Sequence, residues 1–126
     1  MIVSAQLKIK RQSVFGTDPF GTHGALVSET RSGSFSDGAA LQVDDFSAPA
    51  SQNAVRDQFA PLTFSWYIAQ LSNANLVLIN KAGLTQFRLS FTKDDNDDLG
   101  SDYVKFFSGN SISTYQPQLI ITYYVP

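Results

Sequence analysis

The chain has 126 residues, of which 43% are hydrophobic and 13% aromatic, while only 16% are charged. This size and composition are typical of one globular domain with an aromatic-rich core, and they exclude a disordered chain. A net charge of −2 with scattered basic residues disfavours nucleic-acid binding, and the absence of cysteine excludes disulfides and thiolate metal sites.

No apolar run approaches the roughly 20 residues of a membrane helix, so we expect no membrane contact. Residues 1–10 also lack the basic region and apolar core of a signal peptide. Met1 runs straight into a strand-like segment, which suggests that the sequence begins inside a longer natural chain.

The first quarter of the chain predicts two strands joined by a loop. Residues 2–11 alternate apolar and polar side chains, which is the pattern of a half-buried strand. Residues 13–24 are rich in glycine and predict a long ordered loop, in which Phe15 and Phe20 plug the end of the fold. Residues 25–31 predict the second strand.

The middle of the chain is less regular. Residues 39–60 have weak periodicity and predict connections with a short strand near residues 53–59. Residues 61–71 are rich in β-forming side chains and predict a strand, with Trp66 as an anchor in the core. A short helix is expected over residues 73–81, capped by Ser72 and stopped by a left-handed Gly83.

Residues 84–108 predict a hairpin whose arms flank an acidic turn. The first arm alternates strictly, and the second, residues 102–108, alternates less cleanly. Residues 117–125 form an uncharged run that predicts a strand buried on much of both faces. These elements indicate an all-β fold, an antiparallel β-sandwich of the jelly-roll kind with one short helix, in a single domain over residues 1–126.

The acidic turn is the sharpest chemical signal. Ten of the 11 acidic residues are Asp, and Asp94, Asn96 and Asp98 have the spacing that lets alternate side chains converge on calcium. An EF-hand is rejected, because Leu99 stands at its glycine position and Lys105 at its twelfth position. A calcium-stabilised loop and a solvated turn both remain open.

Tyrosines are the candidate ligand-binding residues. Tyr67, Tyr103 and Tyr115 would form a platform on which sugar rings stack, because their pattern places them off the buried face or in a loop. The alternative for each is ordinary core packing. With one His, one Glu and no catalytic motif, the sequence predicts no enzyme activity. His23 is expected to be a structural hydrogen-bonding residue, and Asp44 with Asp45 to cap a turn.

Several segments together resemble a known family. They are SAQLKI, DPFGTHG, INKAG, TQFRLSF, DDNDD and the closing PQLIITY. In combination they are similar to DNRLRE-type modules, β-sandwich domains related to carbohydrate-binding modules in multidomain secreted or cell-surface proteins of bacteria and archaea. The resemblance implies a non-catalytic binding or spacer module, located outside the cell or on its surface, with a polysaccharide or cell-surface glycan as its partner.

The chain departs from this family at its start. Modules of this kind usually have additional strands before the SAQLKI-like strand. A missing strand would leave an unpaired sheet edge, which invites strand addition. The alternative function is therefore that of a structural subunit that forms homo-oligomers through an exposed sheet edge.

Overall fold

A computed structural model describes residues 1–49 and 53–126. In this part of the chain there are seven strands: β1 (Ile2–Phe15), β2 (Leu26–Ser32), β3 (Arg56–Pro61), β4 (Trp66–Gln70), β5 (Thr85–Phe91), β6 (Tyr103–Phe106) and β7 (Gln118–Tyr123). Single helical turns form α1 (Pro19–Thr22), α2 (Asp44–Ser47) and α3 (Asn73–Leu76), with a 3₁₀ turn at Thr63–Ser65. The all-β prediction is confirmed, since 41% of the described residues are strand and 12% helix. No described helix is long and apolar enough to cross a membrane.

The strands form one curled, antiparallel sheet in the order β5-β2-β3-β4-β1-β6. The long strand β1 is its spine, because it pairs with β4 along one side and with both β7 and β6 along the other. Its N-terminal half holds β7 and its C-terminal half holds β6. One predicted strand of ten residues thus extends to 14 and organises three others.

The predicted hairpin of residues 84–108 is wrong. Its first arm, β5, pairs with β2, whereas its second arm, β6, pairs with β1 near the opposite side of the sheet. Strand β2 offers β5 a matched partner, because Leu26 lies opposite Phe91 and Glu29 lies opposite Arg88. Alternation specified that both arms are strands, but it carries no information about which strands they meet.

The core lies on one face of the sheet, which we call the inner face. Its buried residues are Ala5, Leu7, Ile9, Leu26, Phe59, Tyr67, Ala69, Leu71 and Ile79. Phe20 from α1 covers this face and stacks on Tyr67 at 4.6 Å between ring centroids. The aromatic residues of β5 and Phe106 of β6 pack on it only partly buried. Phe20 thus closes the core as predicted, whereas Phe15 is exposed and stacks on Tyr103 instead.

Trp66 is not the core anchor that the sequence predicts. Opposed residues of an antiparallel pair share a face, and Tyr67 lies opposite Ile9 while Ala69 lies opposite Leu7. These pairs put Tyr67 in the core and turn Trp66 to the opposite, outer face. An alternating strand offers two equally regular sets of side chains, and only its partner strand decides which set is buried.

The closing strand is also corrected. Strand β7 is not buried on both faces, since Ile120 is 44% and Tyr123 65% exposed. It pairs with β1, and no other described strand pairs with its far edge. An uncharged apolar run indicated burial, but a strand at the rim of a sheet keeps much of its surface in solvent.

The predicted helix over residues 73–81 is shorter than expected. It ends at Leu76, where Asn75 is fully buried and its Nδ2 donates to Asp57 Oδ2 at 2.7 Å and to the Val55 carbonyl at 3.2 Å. The Ser72 side chain makes no cap bond, and Gly83 has no positive φ. The buried amide of Asn75, rather than an apolar helix face, fixes this turn to β3.

Two smaller expectations hold. His23 is buried and its Nδ1 lies 2.7 Å from Thr22 Oγ1, as a structural hydrogen-bonding residue. Asp45 closes the turn before α2, because its Oδ2 accepts from the backbone nitrogen of Gln42 at 2.8 Å. The prediction of a short strand near residues 53–59 agrees with β3, while residues 50–52 of the same segment lie outside the described residues.

Candidate functional site

The outer face of the sheet divides into a covered half and an open half. Over β2 and β5, residues 33–48 lie on the face and cover it. Phe35 N donates to Gln86 Oε1 at 2.9 Å, and Gln86 Nε2 donates to the Gly38 carbonyl at 3.0 Å. Over β1 and β4 the described contacts on the outer face are with the 3₁₀ turn at Thr63–Ser65 and with Tyr115, which lie at its margins. We call the first region the covered half and the second the open half.

The covered half contains a buried carboxylate between two guanidinium groups. Glu29 Oε1 lies 3.1 Å from Arg56 Nε, and its Oε2 accepts from Arg88. Arg88 Nη1 also donates to the carbonyls of Asp45 at 2.9 Å and Ala48 at 2.7 Å. Each of the three charged groups, Glu29, Arg56 and Arg88, has a protein partner. The hydrogen bonds from Arg88 to the carbonyls of Asp45 and Ala48 attach residues 33–48 to the sheet.

Clefts beside this cluster are small. One of about 260 Å³ is lined by Phe35, Leu41, Phe46 and the strand β5. Another of about 210 Å³ has Glu29 and Arg56 in its wall. Because both oxygens of the Glu29 carboxylate are already ion-paired, this carboxylate is not free to bind a ligand in the clefts.

The open half has Trp66 at its centre and two lysines beside it. Register places Lys10 opposite Trp66, and Lys8 opposite Ile68 on β4 and Gln118 on β7. Lys8 Nζ lies 4.7 Å and Lys10 Nζ 5.6 Å from the centroid of the Trp66 ring. Both distances are within the range of a cation–π contact.

These two ammonium groups are not neutralised. Neither has a carboxylate within 4.0 Å in residues 1–49 and 53–126, where the ion pairs engage Arg11, Arg56 and Arg88. A cation–π contact orients an ammonium group but leaves its full charge in place. The open half is therefore a local positive surface on a chain whose net charge is −2.

One rim of the open half is the turn between β3 and β4. Phe64 is 84% exposed and has a φ of 57°, and Ser65 follows with a φ of 63°. Non-glycine residues adopt this left-handed region at a cost in free energy. Lys10 Nζ donates a hydrogen bond to the Phe64 carbonyl oxygen, which holds the turn beside Trp66. The turn thus presents an aromatic ring to solvent.

Tyr115 forms the other rim. Its ring lies 4.8 Å from that of Phe107, and Lys10 Nζ lies 5.1 Å from its centroid. The loop that carries it is held by Gln116 Nε2, which donates to the carbonyls of Gly109 at 2.9 Å and Ser111 at 3.0 Å. One of the three predicted tyrosines therefore lies beside the lysines of the open half.

The other two predicted tyrosines lie elsewhere. Tyr67 is a core residue, stacked on Phe20, so the expectation that it lies off the buried face is wrong. Tyr103 is exposed and stacks on Phe15 at 5.0 Å, where β6 meets the end of β1. No ring contact among the described residues joins Tyr103 to Trp66 or Tyr115. The three tyrosines do not form one platform.

The acidic segment, residues 94–102, closes on itself. Asn96 Nδ2 donates to Asp98 Oδ2 and to Asp102 Oδ2, both at 2.9 Å. The backbone nitrogen of Gly100 donates to Asp98 Oδ1 at 2.7 Å. Side-chain and backbone N–H groups thus compensate the carboxylates from within the loop.

The predicted calcium ligands are only partly brought together. Asn96 and Asp98 are hydrogen-bonded, whereas Asp94 lines the separate cleft beside Arg56. The described residues contain no group of three or more His, Cys, Asp or Glu side chains arranged to hold a metal ion. In this arrangement the Asn96 amide nitrogen, rather than its oxygen, is turned to the carboxylates of Asp98 and Asp102. The calcium site stays a prediction.

No protein-family model, curated protein or solved structure matches the chain. The site therefore rests on its own geometry. Sequence reasoning missed Trp66 as a surface residue, although a signal was present: Lys8 and Lys10 occupy the polar side of the first predicted strand. The sequence does not show that this strand pairs with β4, and it is this pairing that places Trp66 beside Lys10.

Proposed function

We propose that this protein is a non-catalytic carbohydrate-binding module that holds a polysaccharide on the open half of its sheet. The observation that carries the proposal is the partly exposed Trp66 on this face, flanked by the exposed rings of Phe64 and Tyr115. Sugar rings have apolar C–H faces that pack on aromatic rings, while their hydroxyl groups hydrogen-bond to polar side chains at the edges.

The polar side chains that sugars require are also present. Gln6 lies opposite Gln70 and Ile120, and Gln118 lies opposite Lys8. Amides both donate and accept hydrogen bonds, as hydroxyl groups do. An uncovered sheet surface with a row of aromatic and amide side chains suits an extended polymer better than a small molecule in a pocket.

The test is binding to a panel of insoluble and soluble polysaccharides, including cellulose, xylan and starch, measured by pull-down and calorimetry. We expect Trp66→Ala to weaken binding about tenfold or more. The stacking of one nucleic-acid base on an aromatic side chain contributes roughly 1–3 kcal/mol, and we expect a sugar ring stacked on Trp66 to contribute a similar amount. Tyr103→Ala is the matched control, since it removes an exposed aromatic ring outside the open half. Equal loss in both variants, or binding to no polysaccharide, would refute the proposal.

The proposal also covers the architecture of the fold and the location of the protein. We propose that the curled sheet is a variant of the jelly-roll sandwich of DNRLRE-type modules, and that the module acts within a larger extracellular or cell-surface protein. What supports the architecture is the antiparallel sheet that curls around a buried inner face. Secretion of the parent protein, followed by immunodetection of the module on the cell surface, tests the location.

A second candidate function is self-assembly, which β7 favours. The run from residue 117 to 126 has no charged side chain, whereas β5 contains Arg88 and β6 contains Lys105. Charged side chains, lysine above all, protect edge strands from pairing with other chains. Strand β7 lacks this protection, so a second copy would add its own β7 without charge repulsion.

Light scattering over a range of concentrations tests this candidate. We expect the apparent mass to rise with concentration, and Ile120→Lys to abolish that rise by placing a charge in the middle of β7. Leu41→Lys is the control, because Leu41 is also an exposed apolar residue but lies outside the strands. A monomer at every concentration would exclude self-assembly.

A further inference from the structure

We infer that the polysaccharide bound by the open half is acidic, and that Lys8 and Lys10 bind its carboxylate or sulfate groups. This inference rests on the proposed function and adds the chemical class of the ligand. It is carried by the two lysines that each place Nζ over the ring of Trp66 without a carboxylate partner in the described residues.

The first step of the argument is the repulsion between the two ammonium groups. Lys8 Nζ and Lys10 Nζ lie within 5.6 Å of the same ring centroid. Like charges at such positions repel each other, and a neutral ligand that displaced water from them would add a desolvation cost. An anionic group bound between or beside them compensates both costs by its attraction to the ammonium groups. The arrangement therefore favours a charged ligand over a neutral one.

The second step is the contrast with the ion-paired arginines. Arg11, Arg56 and Arg88 are ion-paired with carboxylates of the chain itself. Lys8 and Lys10 are without such a pair in the described residues, and they differ from the other unpaired basic residues because both place Nζ over the ring of Trp66. Their position on β1 keeps them apart from the acidic segment and on the face that has the exposed aromatic rings.

The third step is the geometry of the strand. Lys8 and Lys10 are two residues apart on one face, which corresponds to about 7 Å along the strand. Two cations spaced along the strand direction suit a polymer with repeated anionic groups. Single-stranded nucleic acid is the less favoured polyanion, because it requires a continuous basic groove and this face has only two lysines among neutral side chains.

The experiment uses anionic polymers with their neutral counterparts. Polygalacturonate is compared with its methyl ester, and dextran sulfate with dextran, by calorimetry. The measurements are made at roughly 20 and 200 mM salt, so that electrostatic screening differs strongly between them. We expect one anionic polymer to bind about tenfold more tightly than its neutral form, with affinity falling as salt rises. The pair that shows the difference identifies carboxylate or sulfate as the recognised group.

Variants separate this inference from folding and from the proposed function. The double variant Lys8→Gln with Lys10→Gln should remove the preference for the anionic polymer with only a small decrease in the melting temperature, while Lys105→Gln should leave the preference intact. Equal affinity for charged and neutral polymers would overturn the inference but leave the module a carbohydrate binder. Tighter binding to oligo-dT would overturn it in favour of nucleic acid, and binding to no polysaccharide would overturn both proposals.

Discussion

The two halves of the outer sheet face use charge in opposite ways. In the covered half, Glu29 is buried between Arg56 and Arg88, and each of these three charged groups has an ion-pair partner. In the open half, Lys8 and Lys10 lie on Trp66 with no carboxylate beside them in the described residues. A buried charge must be paired if the fold is to be stable, whereas a charge in contact with solvent can remain unpaired until a ligand binds. The first cluster is structural and the second is available for binding.

The largest effect is expected in the covered half. Glu29→Gln should lower the free energy of unfolding by about 3 kcal/mol, because removal of one member of a buried ion pair leaves its partners uncompensated. Arg88 is the partner most affected, as its side chain is only 17% exposed. Urea denaturation followed by tryptophan fluorescence measures the change. A loss below about 1 kcal/mol, the value for a surface pair, would show that the cluster is not structural.

A matched exchange in the open half should have a much smaller effect. Lys10→Gln also removes one formal charge from the outer face, but it loses only cation–π contacts and one hydrogen bond. We expect a decrease in the free energy of unfolding of at most about 1 kcal/mol. The same denaturation experiment measures it, with Lys105→Gln as a control on another exposed strand. A loss as large as that of Glu29→Gln would abolish the distinction between the two halves.

The covered half should also show an acid dependence that the open half lacks. Hydrogen bonds from Ser36 and from the backbone of Gln42 hold the pKa of Asp45 below its ordinary value of 3.8. Because the folded pKa is the lower one, the stabilisation is present above pH 3.8 and is lost as the pH falls through the folded pKa.

Asp45→Asn should therefore flatten the decrease of stability in acid. Melting temperatures between pH 2 and 6, roughly the range of carboxyl titration, measure this slope. Asp44→Asn is the control, since it removes the neighbouring carboxylate without breaking the bonds of Asp45 to Ser36 and Gln42. An identical slope for Asp45→Asn and the wild-type chain would contradict the assignment.

These contrasts show which information the sequence contains. Alternation predicts the strands β1 and β5 because side-chain direction along a strand is a local property. Pairing is not local: β5 pairs with β2 rather than with β6, and Glu29 lies opposite Arg88 on these two neighbouring strands. No pattern within residues 84–108 contains that fact.

The candidate site was predictable to a smaller extent for the same reason. The sequence predicts Tyr115 as a ligand-binding residue because it lies in a loop, and in the structure its ring lies beside Lys10. Trp66 and Tyr67 are adjacent aromatic residues on one strand, and their sequence does not say which of them faces the core. The register against β1 makes that choice, and it assigns the surface to Trp66.

The smallest effect is expected in the acidic segment, which resembles the covered half because it compensates its own charges. Since Asn96 donates to both Asp98 and Asp102, calcium should change the melting temperature by less than about 1 °C relative to a chelator. Differential scanning calorimetry with each addition measures the shift. A rise of several degrees would instead support the calcium-stabilised loop.

Asn96→Asp makes this comparison sharper. The variant replaces the bridging amide donor with a third carboxylate, so Asp98 and Asp102 lose their shared partner and gain a repulsive neighbour. We expect a lower melting temperature in chelator and a partial recovery in calcium, because the new set of carboxylates requires a cation. If the variant is as stable as the wild-type chain in chelator, the amide is not what holds the loop closed.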